Sequence, residues 1–340
     1  MKVTILGCGR WASFHAWYQA EVLKNEVLIW GLEGEPFASL ARTRKNDYLK
    51  LPKTVTFTND LGEALGFSNY IIVAIAAQAM PAFSKQISEG KPKGKTFVLC
   101  MKGIIDKTGE RLSVVLSREV DKSNNVVIWV GPGHVQEFVG GQPNLMLIAG
   151  ENQKAVEDVI CKFKSHLIRL YEGDDLIGAE VGAAAKNVLG IMAGILDGAH
   201  LESLKGALMA RGIYEVARLI VAMGGKLITA YGLSHLGDFQ ATLYSENSNN
   251  RKFGEVFFKQ KGKHNNPAIA RTLFPTIVGH CGLHAEGLDT SRALHLLAQK
   301  HRVDMPICRL CYEILHEGKE FKDGFNELFT REHGIKEFRF

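Results

Sequence analysis

The chain is 340 residues long and 46% hydrophobic, with 41 basic against 36 acidic residues and a formal net charge of +5. That length fits about two domains and buries a large core without metals or disulfides. The mild positive balance suits a small anion but falls short of a nucleic-acid footprint, and the clusters Lys91–Lys95 and Lys259–Lys263 read as solvated loops.

The first apolar run, Val3–Leu6, leads directly into Gly7-Cys8-Gly9-Arg10-Trp11-Ala12, which opens a helical segment. Glycines at such a junction allow a tight turn and let backbone approach a pyrophosphate at the positive end of the helix. In this strand–turn–helix context a short G-x-G-x-x-A predicts a dinucleotide site with Gly7, Gly9, Arg10, Trp11 and Ala12 as cofactor-binding residues. After the second run, Val27–Trp30, the loop Gly31-Leu32-Glu33-Gly34-Glu35 offers Glu33 to a ribose hydroxyl, where it would repel a 2′-phosphate. NAD is therefore the expected cofactor, while Arg42 and Arg44 keep NADP open.

Further near-continuous apolar runs follow at Ile71–Ile75, Thr96–Leu99 and Val126–Val130, with one more at Leu145–Ala149. Strands that read this way are buried on both faces, as in a parallel sheet covered by helices. The expectation is a doubly wound Rossmann domain of the α/β class. After about Tyr171 these runs give way to helical periodicity, over Ala179–Ala199, Ser203–Met223 and Ser291–Gln299. The boundary is placed at the polar stretch Glu172-Gly173-Asp174-Asp175, giving a nucleotide domain over 1–172 and a helical substrate domain over 173–340.

Lys186 stands out in the helical half, inside Gly182-Ala183-Ala184-Ala185-Lys186-Asn187-Val188, where almost nothing else carries charge. Desolvation among small apolar side chains lowers a lysine pKa toward the range of proton exchange near neutrality, so Lys186 is a candidate general base. A lysine snorkelling from a half-buried helix is the bland alternative. The stretch from Leu176 to Ala199 is apolar, yet it holds Glu180, Lys186, Asn187 and Asp197, which argue against a membrane span.

The six cysteines are scattered, and a strand-like run already begins at Lys2, so no secretory leader is expected and a reducing cytoplasm is the expected home. Cys308 and Cys311 form a lone C-x-x-C, and His280, Cys281 and His284 lie close in sequence. A structural zinc would show a second tight pair of ligands, and Pro306 before Cys308 reads as a helix start, so no metal is expected.

Four short stretches, in order and spacing, resemble the NAD(P)-dependent sn-glycerol-3-phosphate dehydrogenases. They are Met101-Lys102-Gly103, Gly131-Pro132-Gly133-His134-Val135-Gln136-Glu137, the Gly182–Val188 segment, and Leu236-Gly237-Asp238 through Ser248-Asn249-Asn250-Arg251-Lys252-Phe253-Gly254. Ala285-Glu286-Gly287 extends the likeness. The resemblance implies a Rossmann domain followed by an all-helical domain of the 6-phosphogluconate dehydrogenase kind. It also implies a cytoplasmic homodimer that interconverts dihydroxyacetone phosphate and sn-glycerol 3-phosphate, linking glycolysis to phospholipid synthesis. It makes Lys186 the proton acceptor, puts Lys102 at both substrate and cofactor, and adds Asn187 and Asp238 to the polar centre. Gly131 falls near the substrate, Trp11 and Val135 near the cofactor, and Glu286 at the nicotinamide nucleotide.

The chemistry asks for these residue types. Oxidising a secondary alcohol needs a base for the hydroxyl proton, and the reverse reaction needs an ammonium for the nascent alkoxide. Asp238 would hold the lysine, Lys102 would add positive field, and Thr242 would offer a hydroxyl one turn beyond Asp238. Taken alone, Asp238 also reads as a helix cap.

The chain departs from the family pattern at several points. Asn249 stands between Ser248 and Asn250 where an arginine is usual, Gly133 stands where a serine or threonine follows Gly-Pro, and Arg10 replaces a small residue. Arg251 or Arg10 is expected to supply the missing charge, with Ser248, Asn249, Asn250 and Gly133 lining the substrate site. The alternatives are another hydroxy acid or polyol phosphate as substrate, or an inactive nucleotide sensor.

Overall fold

The computed structural model describes residues 1–261, 273–275, 277 and 285–331. They form two compact units, Met1–Lys102 with Glu110–Leu176, and Gly103–Gly109 with the chain from Ile177 onward. The short excursion Gly103–Gly109 joins the helical unit for a packing reason. Ile104 is buried in the helical core, and Gly109 lies against Leu297.

The first unit is one eight-stranded sheet in the order β3-β2-β1-β4-β5-β6-β7-β8. Its strands are β1 (Lys2–Leu6), β2 (Glu26–Trp30), β3 (Thr56–Thr58), β4 (Tyr70–Val73), β5 (Thr96–Leu99), β6 (Asn125–Val130), β7 (Asn144–Gly150) and β8 (Ile168–Gly173). The apolar runs become the central strands, as their two-sided burial requires. β1 pairs with β2 on one side and β4 on the other, so strand order reverses there, the position at which such sheets open a ligand crevice.

The helices of this unit are α1 (Arg10–Trp17), α2 (Glu35–Thr43), α3 (Leu61–Phe67), α4 (Met80–Glu89), α5 (Leu112–Glu119), α6 (Val135–Val139) and α7 (Gln153–Phe163). Phe14 of α1 stacks on Phe138 of α6 at 5.1 Å, and Tyr18, edge-on to the Trp129 indole, donates its hydroxyl to the Phe163 carbonyl at 2.7 Å. α1 and α6 are thereby locked to the sheet that carries the glycine loop.

The sheet corrects the sequence reading in three places. β7 runs antiparallel to β6, because a connection holding only the five-residue α6 does not return the chain for a parallel pairing. The short β3 and the outer β8 were not anticipated: β3 has three residues, and β8 alternates buried with exposed positions instead of forming an apolar run. Finally, the run at Ile71–Ile75 leaves the sheet after Val73.

The second unit is helical: α8 (Leu176–Gly198), α9 (Lys205–Ala222), α10 (Asp238–Tyr244), α11 (Asn249–Lys261), α12 (Gly287–His301), α13 (Pro306–Tyr312) and α14 (Phe321–Thr330). By length and composition α8 could cross a membrane, yet it is the buried axis of this unit. The reason is written along one row. Gly178, Gly182, Lys186, Gly190, Gly194 and Gly198 follow one another at intervals of four, and such a row runs along a helix face. Without side chains, it is a groove into which neighbours press. A Cβ at Gly182 would lie 2.7 Å from His235, one at Gly190 2.6 Å from Thr242, and one at Gly194 1.9 Å from the Arg251 carbonyl oxygen. Lys186 is the one long side chain in that groove, so the approaching elements meet its ammonium.

Candidate active site

In the nucleotide unit, Gly7 takes φ +124° at the end of β1, and a Cβ there would lie 2.4 Å from the Ala74 carbonyl oxygen. Only glycine allows that turn. Ala12, fully buried, is the small residue facing Gly7 from α1. Gly9 caps α1 without a side-chain hydrogen bond, and no acidic residue stands in the first turn. A Cβ at Gly9 would meet nothing within 4 Å, so the helix start is open to an anionic group and fits a dinucleotide's pyrophosphate.

Arg10 lies beside this loop, its guanidinium 4.6 Å over the Tyr48 ring and donating to Gln136 Oε1 at 2.6 Å. Glu33 is exposed in the loop after β2. Arg44 donates to the Pro52 and Val55 carbonyls at 3.1 and 2.7 Å, and Arg42 pairs with Glu35 at 3.6 Å. Arg44 is therefore tied through Nη1 to the backbone of the loop after α2.

Lys102 is buried, its ammonium donating to the Gly131 carbonyl at 2.9 Å and lying 5.3 Å from the Trp11 ring centroid. Three of the expected residues, Lys102, Gly131 and Trp11, are thus in one cluster. Behind Trp11, His15 is fully enclosed; burial, with the Lys102 ammonium adding, pushes its pKa down to about 3, so it is neutral. Val135, also buried, opens α6. Gly133 has φ +133°, and a Cβ there would fall 2.4 Å from the Phe138 ring. The absent serine is explained: Phe138 occupies the space its side chain would need.

In the helical unit, the Lys186 ammonium donates to Thr242 Oγ1 at 2.9 Å and stands 3.3 Å from Asp238 Oδ1, with all three residues buried. Thr242 donates its own hydrogen to the Asp238 carbonyl at 2.7 Å, which turns its lone pairs toward the lysine. The snorkelling alternative is excluded by this geometry. His235 sits one turn before Asp238, with Nδ1 2.9 Å from the Gly182 carbonyl; burial first, then the Lys186 ammonium, lower its pKa to about 4.

Asn187, next along α8, belongs to a directional chain. The Gly287 N–H can only donate, and it donates to Asn250 Oδ1 at 3.0 Å. Asn250 Nδ2 therefore donates to Asn187 Oδ1 at 3.0 Å, and Asn187 Nδ2 to Glu286 Oε2 at 3.2 Å. One backbone amide fixes both side-chain amide orientations and points them at a carboxylate.

At the start of α11, Ser248 is buried and its Oγ accepts the Arg251 N–H at 3.3 Å, while Asn249 is half-buried at the first helical position. Arg251 reaches the other way. Its guanidinium donates to Asp197 at 2.7 Å and to the Ser245 carbonyl at 3.3 Å, and Asp197 also holds Lys205 at 2.5 Å. The expectation that Arg251 stands in for the missing arginine meets this ion pair, which engages its guanidinium with Asp197.

Among the described residues no group of three His, Cys, Asp or Glu side chains could hold a metal ion. His280, Cys281 and His284 lie outside the described residues. Cys308 and Cys311 are buried thiols at the start of α13, where Pro306 is the first residue, and burial raises both pKa values. Sequence reasoning missed Tyr48 and His235, whose partners lie tens of residues away without a motif between them, and it named Gln136 only as part of the Gly131–Glu137 stretch, with no role. The four-residue glycine row was legible and would have flagged His235's neighbourhood.

Two family models match the chain: the NAD-dependent glycerol-3-phosphate dehydrogenase N-terminus over residues 2–156 and the C-terminus of the same family over 175–326. A glycerol-3-phosphate dehydrogenase (NAD(P)+) of Thermoanaerobacter sp. strain X514 is 33% identical over 344 residues, covering 98% of this chain and all of the relative. Its counterpart from Clostridium botulinum strain Alaska E43 is 34% identical over 97% of this chain and 98% of its own. Among solved structures, the glycerol-3-phosphate dehydrogenase of Coxiella burnetii superposes with a TM-score of 0.86 at 26% identity, covering 97% of this chain and 99% of that one. With both halves matched in order, and with full-length relatives above 30% identity, the chain belongs to the NAD-dependent glycerol-3-phosphate dehydrogenase family.

Proposed function

We propose that this protein reduces dihydroxyacetone phosphate to sn-glycerol 3-phosphate with a nicotinamide cofactor, and runs the reverse reaction, with Lys186 carrying the proton. The observation that carries this reading is the buried Lys186–Asp238–Thr242 cluster. A bound nicotinamide would supply the hydride for reduction and accept it in oxidation. In reduction, Lys186 Nζ delivers a proton to the alkoxide oxygen as the hydride arrives at carbon, and a solvent proton then restores the ammonium. In oxidation the amine accepts the hydroxyl proton. Asp238 holds the ammonium and Thr242 fixes its direction, so little reorganisation is needed as charge develops.

Gly7, Gly9, Arg10, Trp11, Ala12 and Val135 would hold the dinucleotide, with Glu33 on the ribose favouring NAD. Glu286, bonded through Asn187, would serve the nicotinamide end. Lys102 brings positive charge to the oxyanion or the phosphate, held by the Gly131 carbonyl beside the Trp11 ring. With Arg251 turned to Asp197, Arg10 to Gln136 and the Asn250 amide bonded to Gly287 and Asn187, Asn249 and the first amides of α11 are left to meet the phosphate, a weaker grip than a bidentate arginine gives. The same facts favour a second reading, in which hydride chemistry is retained for a different small polyol phosphate or hydroxy acid. A cytoplasmic homodimer serving phospholipid precursor supply completes the proposal.

The test is substrate profiling with NADH and NADPH. Saturable turnover of dihydroxyacetone phosphate, abolished in Lys186→Ala while NADH still binds, is expected. Turnover of another ketone with none for this one would move the assignment to the second reading, and NADH binding without any turnover would leave a sensor.

A further inference from the structure

A cavity of about 340 Å³ lies on the helical unit among α8, α9, α13 and α14. It is at the small end of the range of roughly 300–1,000 Å³ typical of small-molecule sites. Its apolar wall is built from Met192 and Leu196 of α8, Leu208 of α9, Ile307 of α13, and Phe321 and Phe325 of α14. At 100° per residue, Met192 and Leu196 lie roughly 240° and 280° around the helix from Lys186, on another face of the rod that carries the base.

Charge around this cavity is unbalanced. Arg211, Arg218 and Arg331 line it, against Glu215 and Asp304. Both carboxylates already have partners. Glu215 accepts the Ile307 and Cys308 amides at 2.8 and 3.2 Å, and both Asp304 oxygens accept from Arg331 at 3.1 and 2.9 Å. Burial further raises the Glu215 pKa to about 7, which thins the negative charge near neutrality. Arg211 is exposed at the rim, its guanidinium 4.8 Å from the Tyr214 ring centroid.

We propose that this cavity binds a small amphiphile with an aliphatic body and one anionic head, of which a medium-chain carboxylate is the simplest example. The aliphatic chain removes the Met192, Leu208 and Phe325 surfaces from water, and the head meets the arginine-rich rim. With Arg331 and Asp304 paired to each other, a cationic head would meet the Arg211 and Arg218 guanidinium groups and a Glu215 carboxyl already held by two backbone amides. This site is independent of the dehydrogenase reading, since none of its residues takes part in proton or hydride transfer.

The probe is decanoate below its micellar concentration, titrated calorimetrically into the full-length protein, with decylammonium and decanol alongside. Saturable binding near one per chain is expected, at least tenfold tighter for decanoate than for decylammonium. Ala207→Trp, at an exposed position lining the cavity, fills it from the rim and should lose decanoate binding at least tenfold with turnover unchanged; Arg211→Glu should narrow the preference for the anion. Absence of saturable binding, equal affinity for the cationic amphiphile, or undiminished binding by Ala207→Trp would each overturn the proposal. So would sedimentation showing that Ala207→Trp splits a dimer, because the cavity would then be seated against a second copy.

Discussion

The two units each bury a lysine beside a neutral histidine, and they hold it differently. In the nucleotide unit Lys102 is met by the Gly131 carbonyl and the Trp11 ring, with His15 behind. In the helical unit Lys186 is met by the Asp238 carboxylate and the Thr242 hydroxyl, with His235 behind. A carbonyl dipole and a ring face both favour an ammonium, and on the proposed function this lysine serves to attract an anion. A carboxylate and an oriented hydroxyl can follow a change in protonation, so the second suits proton transfer. The residue type is shared, and on the proposed function the neighbours divide the labour.

The strongest way to break this comparison is to remove each ammonium in turn. Lys186→Ala should lower kcat by about 10³-fold or more, within the range expected for a lost general acid–base, while leaving the NADH dissociation constant within a few-fold. Lys102→Ala should act mainly by raising KM for the phosphorylated ketone about tenfold or more. Steady-state kinetics with parallel nucleotide titration reads both; the same kcat collapse in the two variants would erase the distinction.

Acid stability sharpens the comparison next. His15 and His235 have folded pKa values below the unfolded value, so their contribution is complete above about pH 6.5 and is lost as pH falls toward 3 and 4 respectively. Each is worth on the order of 3 to 5 kcal/mol over its full range. Glu215 has the opposite sign. Its folded pKa of about 7 lies above the unfolded value, so the folded state gains stability as pH falls from 7 toward 4.5. In the helical unit the two slopes oppose each other between pH 4.5 and 6.5. Glu215→Gln should therefore make the protein lose more stability between pH 7 and pH 5 than the wild type does, measured from urea midpoints. An unchanged slope would show that Glu215 does not titrate as its burial implies.

Packing gives the third test. Gly194→Ala puts a methyl group 1.9 Å from the Arg251 carbonyl oxygen and should cost about 1–3 kcal/mol or more, together with turnover, because α11 positions Asn250 against Asn187. Gly206→Ala, at an exposed site with open space, serves as the control and should leave both intact. The smallest effect belongs to the nucleotide unit: Gly133→Ser should lower Tm by a few degrees and leave KM no better, since Phe138 fills the position. A serine variant with lower KM and full stability would show that the ring yields.

The nucleotide half was largely legible in the sequence, because strands buried on both faces must be near-continuously apolar and a phosphate-cradling turn must be glycine. What the pattern could not carry was the reversal at β7 and the half-wet β8, which depend on where the outer sheet meets water. In the helical half, Lys186 was conspicuous as a charge among alanines, Asp238, Asn187 and Glu286 followed only from resemblance, and Thr242 came from its place one turn beyond Asp238. That Arg251 would turn to Asp197 was not readable, since an ion pair between residues 54 apart has no local signature.

The sequence by itself determined the class of each half, the glycine loop and the lone apolar-flanked lysine, because these rest on periodicity and on backbone conformations that few residues allow. The tertiary structure alone decided which groups surround each buried charge. Partners of a desolvated ammonium are recruited from distant segments by close backbone approach along the α8 glycine row, and that approach is a property of packed helices, not of neighbours in the chain.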